Sequence, residues 1–168
     1  MCIRDRRKEP RIAWGVGDSR LKEMTLLFLD IDAGSGVDRQ DLKRSGRLGP
    51  YPHSVWSNCK AASAPDQRTW ITPSMSCKGI LKPYQPPGNS GPVPNRYAFV
   101  LFEQAKADAI VNVSKAFPGA PRKWKFGAHW DMARFLADNP GLTPAGYNFM
   151  LVRGDGSKAG TKARGRRG

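Results

Sequence analysis

A mainly β, antiparallel domain is the architecture this chain predicts, and three observations point to it. Two dense runs of apolar and β-forming residues, 24–29 and 97–102, have strand length and are bounded by turn residues. Glycine (18) and proline (14) punctuate the 168 residues too often for a helical bundle. Only one segment, 126–136, carries apolar residues at helical spacing. At 18.5 kDa and 39% hydrophobic residues, the chain is sized for one domain with a real core.

The elements follow in order. Residues 11–14 alternate and stop at Gly15, as a short strand does. The run 24–29 is apolar on both faces and predicts a strand buried on both sides. It ends in Asp30-Ile31-Asp32 and a glycine turn, with the two carboxylates on one side if the chain stays extended. Residues 34–52 form a polar loop, and 53–59 (HSVWSNC) a second strand. The stretch 60–78 reads as a connection, and 79–81 as a short extended piece. Five prolines exclude helix or central strand from 82–96. The strand 97–102 comes next, 110–113 could form another short strand, and a helix over 126–136 ends at Pro140-Gly141. Residues 147–152 (YNFMLV) make the last strand, for a count of four or five strands and one helix.

Charge is the strongest compositional feature. Lys and Arg number 28 against 14 Asp and Glu, a net of +14. Such a surplus speaks of partners rather than fold: nucleic acid, an anionic membrane surface or an acidic protein. No apolar run approaches the roughly 20 residues of a membrane-spanning helix. Cys2, Cys59 and Cys77 are odd in number and lack CxxC spacing. They predict neither a disulfide framework nor a zinc site, and favour a reducing compartment.

Residues 1–9 are set aside as a non-native or disordered start, because MCIRDR resembles a translated sequencing adapter and no apolar signal core follows. Residues 10–152 make the domain. Residues 153–168 are a Gly/Lys/Arg tail without apolar residues to bury, and should be disordered in isolation. Its Arg153, Lys158, Lys162, Arg164, Arg166 and Arg167, with Lys43, Arg44 and Arg47 of the polar loop, are the candidate RNA-phosphate contacts.

Four segments, in order, resemble the phosphatidylethanolamine-binding protein family. PRIAWGVGDSRLKEMTLLFLDIDA (10–33) is similar to its stretch ending in D-P-D-A-P, and HSVWSNC (53–59) to its HW-L-V-x-N strand. YQPPGNSGPVPNRYAFVLFEQ (84–104) is similar to its G-x-H-R-Y-x-F segment with the loop before it. FGAHWDMARFLADNPGLTPAGYNFM (126–150) is similar to its short helix and P-V-A-G-x-x-F strand. The resemblance implies a large antiparallel sheet packed on a smaller one, with few short helices. It also implies that the first strands of the family fold are missing here.

The resemblance further implies a small anion pocket lined by Asp30, Asp32, His53, Asn95 and Tyr97. His and Tyr donate to phosphate oxygens, and a carboxylate can orient the imidazole. This chain departs from the pattern where it matters. Ile31 and Gly34 replace the prolines, Val93 the glycine, and Asn95 the histidine of G-x-H-R. A degraded pocket is therefore expected, with weak phosphate binding or none.

No glycine-rich phosphate loop, GxSxG elbow or metal-spaced His/Cys cluster occurs, so neither an enzyme nor a cofactor is expected. A triad of Ser54, His53 and Asp30 fails on a regular strand, where neighbours face opposite sides. His129 reads as surface or structural. The basic tail and the wording LKPYQPPG…NRYAFVLFEQ resemble the family's branch in the mitochondrial large ribosomal subunit. That branch implies a mitochondrial structural component, with ribosomal RNA and neighbouring ribosomal proteins as partners. The alternative is a cytoplasmic member that binds a phospholipid headgroup or regulates a kinase or protease.

Overall fold

The computed structural model describes residues 9–10, 12–15, 23–33, 50–60, 62–63, 68–71, 73–88, 94–116 and 130–153. The strands are β1 (Ile12–Gly15), β2 (Met24–Asp30), β3 (Tyr51–Cys59), β4 (Ala62–Ser63), β5 (Arg68–Ile71), β6 (Cys77–Lys82), β7 (Asn95–Gln104) and β8 (Leu142–Val152). One helical turn, α1 (Pro73–Ser76), precedes β6, and α2 (Met132–Asp138) precedes β8. The described fold is mainly β, as predicted. A five-stranded antiparallel sheet runs β6-β3-β2-β7-β8, and a three-stranded one runs β1-β5-β4.

The central strand β2 is buried at all seven positions. Its alternate side chains feed two separate cores. Met24, Leu26 and Phe28 join Ile12, Trp56, Tyr97 and Phe99 on one face. Leu27 and Leu29 join Val55, Phe102, Trp130 and Phe135 on the other. Phe28 stacks on Phe99 with centroids 4.3 Å apart. Burying a ring of that size stabilises by about 1.5–3 kcal/mol, so Phe28→Ala removes a main tie between β2 and β7.

β3 contains two irregularities that set up everything below. Phe28 pairs with Ser54 while Leu29 pairs with Pro52, so His53 is an extra residue in β3. Met24 pairs with Cys59 while Leu26 pairs with Trp56, a second slip near Asn58, which has φ of 52°. Asn tolerates that left-handed conformation better than most residues. Pro52 can sit in β3 because the edge strand β6 pairs only as far as Val55.

Several expectations need correction. Residues 60–78 are more than a connection: they hold β4, β5 and α1. These pieces have no periodicity of their own, and β5 pairs with β4 on one side and β1 on the other. Residues 110–113 form no strand. Instead the Asn139 side chain takes the part of a ladder neighbour, accepting from Asn112 N–H at 2.7 Å and donating to Asn112 C=O at 2.8 Å. The described helix begins at Met132: Asp131 caps it by accepting from Arg134 N–H at 2.9 Å, and Trp130 is not helical, while residues 126–129 of the expected helix lie outside the described residues. The last strand starts at Leu142, five residues early, and the β3 strand at Tyr51, two early.

The cysteine reading is also overturned. Cys59 and Cys77 face each other across the β3–β6 ladder and form a disulfide, 18 residues apart in sequence. Spacing alone could not show it, because β6 reaches Cys59 only through sheet pairing. The argument for a reducing compartment therefore loses its basis.

Candidate functional site

The candidate site lies at the β2 C-terminal end, where Asp30 pairs with Tyr51 on one side and Tyr97 on the other. The bulge at His53 puts His53 and Ser54 on one face, the face of Phe28. This corrects the expectation that these neighbours point apart. Ser54 Oγ is nonetheless buried without a hydrogen bond, so no Ser54–His53 dyad is formed.

His53 sits in an aromatic cage. Its ring centroid is 5.1 Å from Tyr51, 5.1 Å from Tyr97 and 5.4 Å from Phe28. The 83–88 segment closes over it. Gln85 N–H donates to His53 C=O at 2.9 Å, and His53 Nδ1 lies 3.0 Å from Gln85 C=O. A carbonyl only accepts, so Nδ1 carries the proton in the neutral ring. Burial pushes the His53 pKa below 6.5, with Gln85 C=O and the Asp30 charge pulling the other way.

Asp30 is 3% exposed. Its Oδ1 accepts from Asp32 N–H at 2.9 Å and its Oδ2 from Asn95 Nδ2 at 3.0 Å. Burial still wins over these bonds and lifts the Asp30 pKa above 3.8. The Tyr97 hydroxyl is buried beside it without a well-aligned hydrogen bond. Burial, then the Asp30 charge, pushes the phenol far above 10. Lys82 lies with its Nζ 5.2 Å from the Tyr51 ring centroid, and burial lowers its pKa.

Asp32 goes elsewhere. The chain turns at residues 31–33 rather than staying extended. Asp32 is then held by Arg96 in a fork: Nη2 to Oδ1 at 2.7 Å, Nε to Oδ2 at 3.0 Å, and Arg96 N–H to Oδ2 at 2.8 Å. The structure thus brings Asp30, His53, Asn95 and Tyr97 together under 83–88 and leaves Asp32 outside them. Sequence reasoning missed Gln85, Lys82 and Tyr51. Only their placement around His53 gives them a role: Gln85 bonds its backbone and ring, Tyr51 packs edge-on to its ring, and Lys82 lies over the Tyr51 ring. Lys43, Arg44, Arg47, Lys158, Lys162, Arg164, Arg166 and Arg167 lie outside the described residues, as does His129. Arg153 is exposed directly after β8.

Apart from Lys82, whose charge reaches His53, the cluster is poor in available cations. His53 is held toward neutrality, Arg96 is engaged by Asp32, and an anion would compete with Asp30 for the Asn95 amide. Among the described residues no group of three potential metal ligands occurs, and no helix is long and apolar enough to cross a membrane. No protein-family model matches the chain, and no curated protein is significantly similar to it.

Proposed function

We propose that this chain is a non-catalytic module of a ribonucleoprotein, built on a fold like that of the phosphatidylethanolamine-binding proteins. The mitochondrial large ribosomal subunit is the assembly its wording most resembles. One observation carries the reading. The five-stranded sheet holds Lys78, Lys82 and Arg96 against Asp30 and Glu103, a net of +1 out of the chain's +14. The other twenty-five basic residues, against twelve acidic ones, lie elsewhere in the sequence. A near-neutral sheet with the basic surplus outside its strands suits contact with RNA phosphate. The mutual pairing of Asn95 with Asp30 agrees with a pocket given over to structure.

The test is sedimentation. The chain expressed in cells should travel with large particles and be released by high salt. Migration as a small species at every salt concentration would overturn the reading. In vitro, six tail phosphate contacts would give a log–log salt slope of about −4 on single-stranded RNA. Deleting residues 153–168 should flatten that slope, and an unchanged slope would remove the tail from the interface.

The convergence of Asp30, His53 and Tyr97 favours a second reading, a phospholipid-headgroup binder acting on a kinase or protease. Titration with phosphate and phosphoethanolamine, followed at the His53 ring by NMR, separates the two. Saturable shifts at micromolar ligand would favour the headgroup reading.

A further inference from the structure

The exposed face of β8 is not used by anything described so far. Register places Tyr147, Phe149 and Leu151 on one face, opposite Val100, Ala98 and Arg96 of β7. All three are open to solvent, at 82%, 58% and 60%. Tyr147 is also the most exposed aromatic among the described residues. Three consecutive same-face apolar residues on an edge strand form a patch rather than a scatter of single exposed groups.

The surroundings indicate what such a patch would meet. Its register partners include no acid, and the cation at its end, Arg96, is half exposed while it grips Asp32. Arg153 follows β8 directly, and the basic tail follows Arg153. Two rings two residues apart on a strand are separated by about 6.7 Å. That is twice the roughly 3.4 Å rise of stacked nucleotides, so two splayed bases could each take one ring. Sheet-borne aromatics beside arginine are a recurrent way of holding single strands.

We infer that Tyr147 and Phe149 form a stacking platform for two bases of single-stranded RNA, with the strand's phosphates running toward the Arg153 end of β8. The inference rests on the RNA reading above and adds a site to it: the tail supplies salt-dependent affinity, and the β8 rings supply a salt-independent part. A second copy of the chain is disfavoured as occupant, because two chains of net +14 repel.

The experiment uses the full chain and a fluorescein-labelled dodecamer of uridine, with a 12-base-pair RNA duplex as comparison. The double variant Tyr147→Ala/Phe149→Ala should weaken dodecamer binding at least about tenfold. Its log–log salt slope should be unchanged, because aromatic rings release no counterions. Tyr147→Trp/Phe149→Trp should retain binding, and Thr143→Ala, elsewhere on β8, should leave it intact. Ring protons of Tyr147 and Phe149 should shift upfield when the dodecamer is added.

Unchanged affinity in the double alanine variant would overturn the platform while leaving the RNA reading in place. An equal loss of duplex binding would also overturn it, since paired bases cannot stack on the rings. A concentration-dependent dimer abolished by the same variant would assign the patch to self-association instead. Failure of the unmodified chain to bind the dodecamer at low salt would overturn both readings together.

Discussion

The two ends of β2 both carry buried polar clusters, yet they are built on different principles. At the Met24 end, beside the buried Glu23 carboxylate and its Lys60 and Lys78 partners, three neutral side chains close on one another. Thr25 Oγ1 donates to Gln104 Oε1 at 3.1 Å, Asn58 N–H donates to the same oxygen at 2.9 Å, and Gln104 Nε2 returns a bond to Asn58 Oδ1 at 2.6 Å. The disulfide from Cys59 fastens the same end covalently. At the Asp30 end the groups ionise: a carboxyl, an imidazole and a phenol share one apolar enclosure, and the Tyr97 hydroxyl lacks a well-aligned partner. Amides satisfy a bulge without responding to pH. Ionisable groups at the other bulge make the local packing depend on protonation. One strand therefore joins a fixed end and a responsive end.

The largest effect should come from unfastening the fixed end. Cys77→Ala opens a loop of 18 residues and should cost about 3 kcal/mol in urea denaturation under oxidising conditions. The same substitution should cost much less in dithiothreitol. Next, Gln104→Ala leaves Asn58 N–H and the Thr25 hydroxyl buried and unmet, and should cost about 2 kcal/mol. That cost should be equal at pH 5 and pH 8. A pH-dependent cost would show that the two ends are not independent.

At the responsive end the expected losses are smaller. Asn95→Ala removes one donor to Asp30 and should cost about 1 kcal/mol at neutral pH, read from the shift in urea midpoint. It should also raise the Asp30 pKa further, visible by NMR titration of the carboxyl carbon.

The finest distinction is in the sign of the pH dependence. Burial places the folded-state pKa of Asp30 above 3.8, so its contribution to stability is full below pH 3.8 and is lost as pH rises through the folded value. For His53 the folded-state pKa is below 6.5. Its contribution is full above pH 6.5 and declines as pH falls toward the folded value. Asp30→Asn should therefore abolish the first slope, and His53→Gln the second. Stability profiles that keep both slopes in both variants would assign the pH response to other groups.

How much of this was legible follows from where the determining contacts lie. β2 and β7 could be read because their own residues dictate burial: an unbroken apolar run has nowhere to go but a core. The site was half legible. Asp30, His53, Asn95 and Tyr97 are pointed out by the family resemblance, each at a strand end or start, and the sheet register brings them together. Asp32 looked equivalent to Asp30 because alternation assumes an extended chain, and the turn at 31–33 removed that premise. β4, β5 and the Cys59–Cys77 bridge were illegible for the opposite reason. Their stability comes from pairing partners distant in sequence, and two or four residues without periodicity leave no local trace. The bulge at His53 was hidden likewise, because a count of residues against a partner strand cannot be made from one strand alone.

That bulge bears on how this site could be gained or lost. Ser54 pairs with Phe28 and Pro52 with Leu29 without any help from His53. Removal of that one codon would let the ladder close into a regular run, with every flanking side chain still on its own face. The imidazole would vanish while the sheet kept its register. A length change of one residue, ordinarily ruinous inside a central strand because it turns the hydrophobic face outward, would here be tolerated by the core. Lineages of this fold could therefore shed or regain the histidine by insertion and deletion, independently of the substitutions that reshape its neighbours.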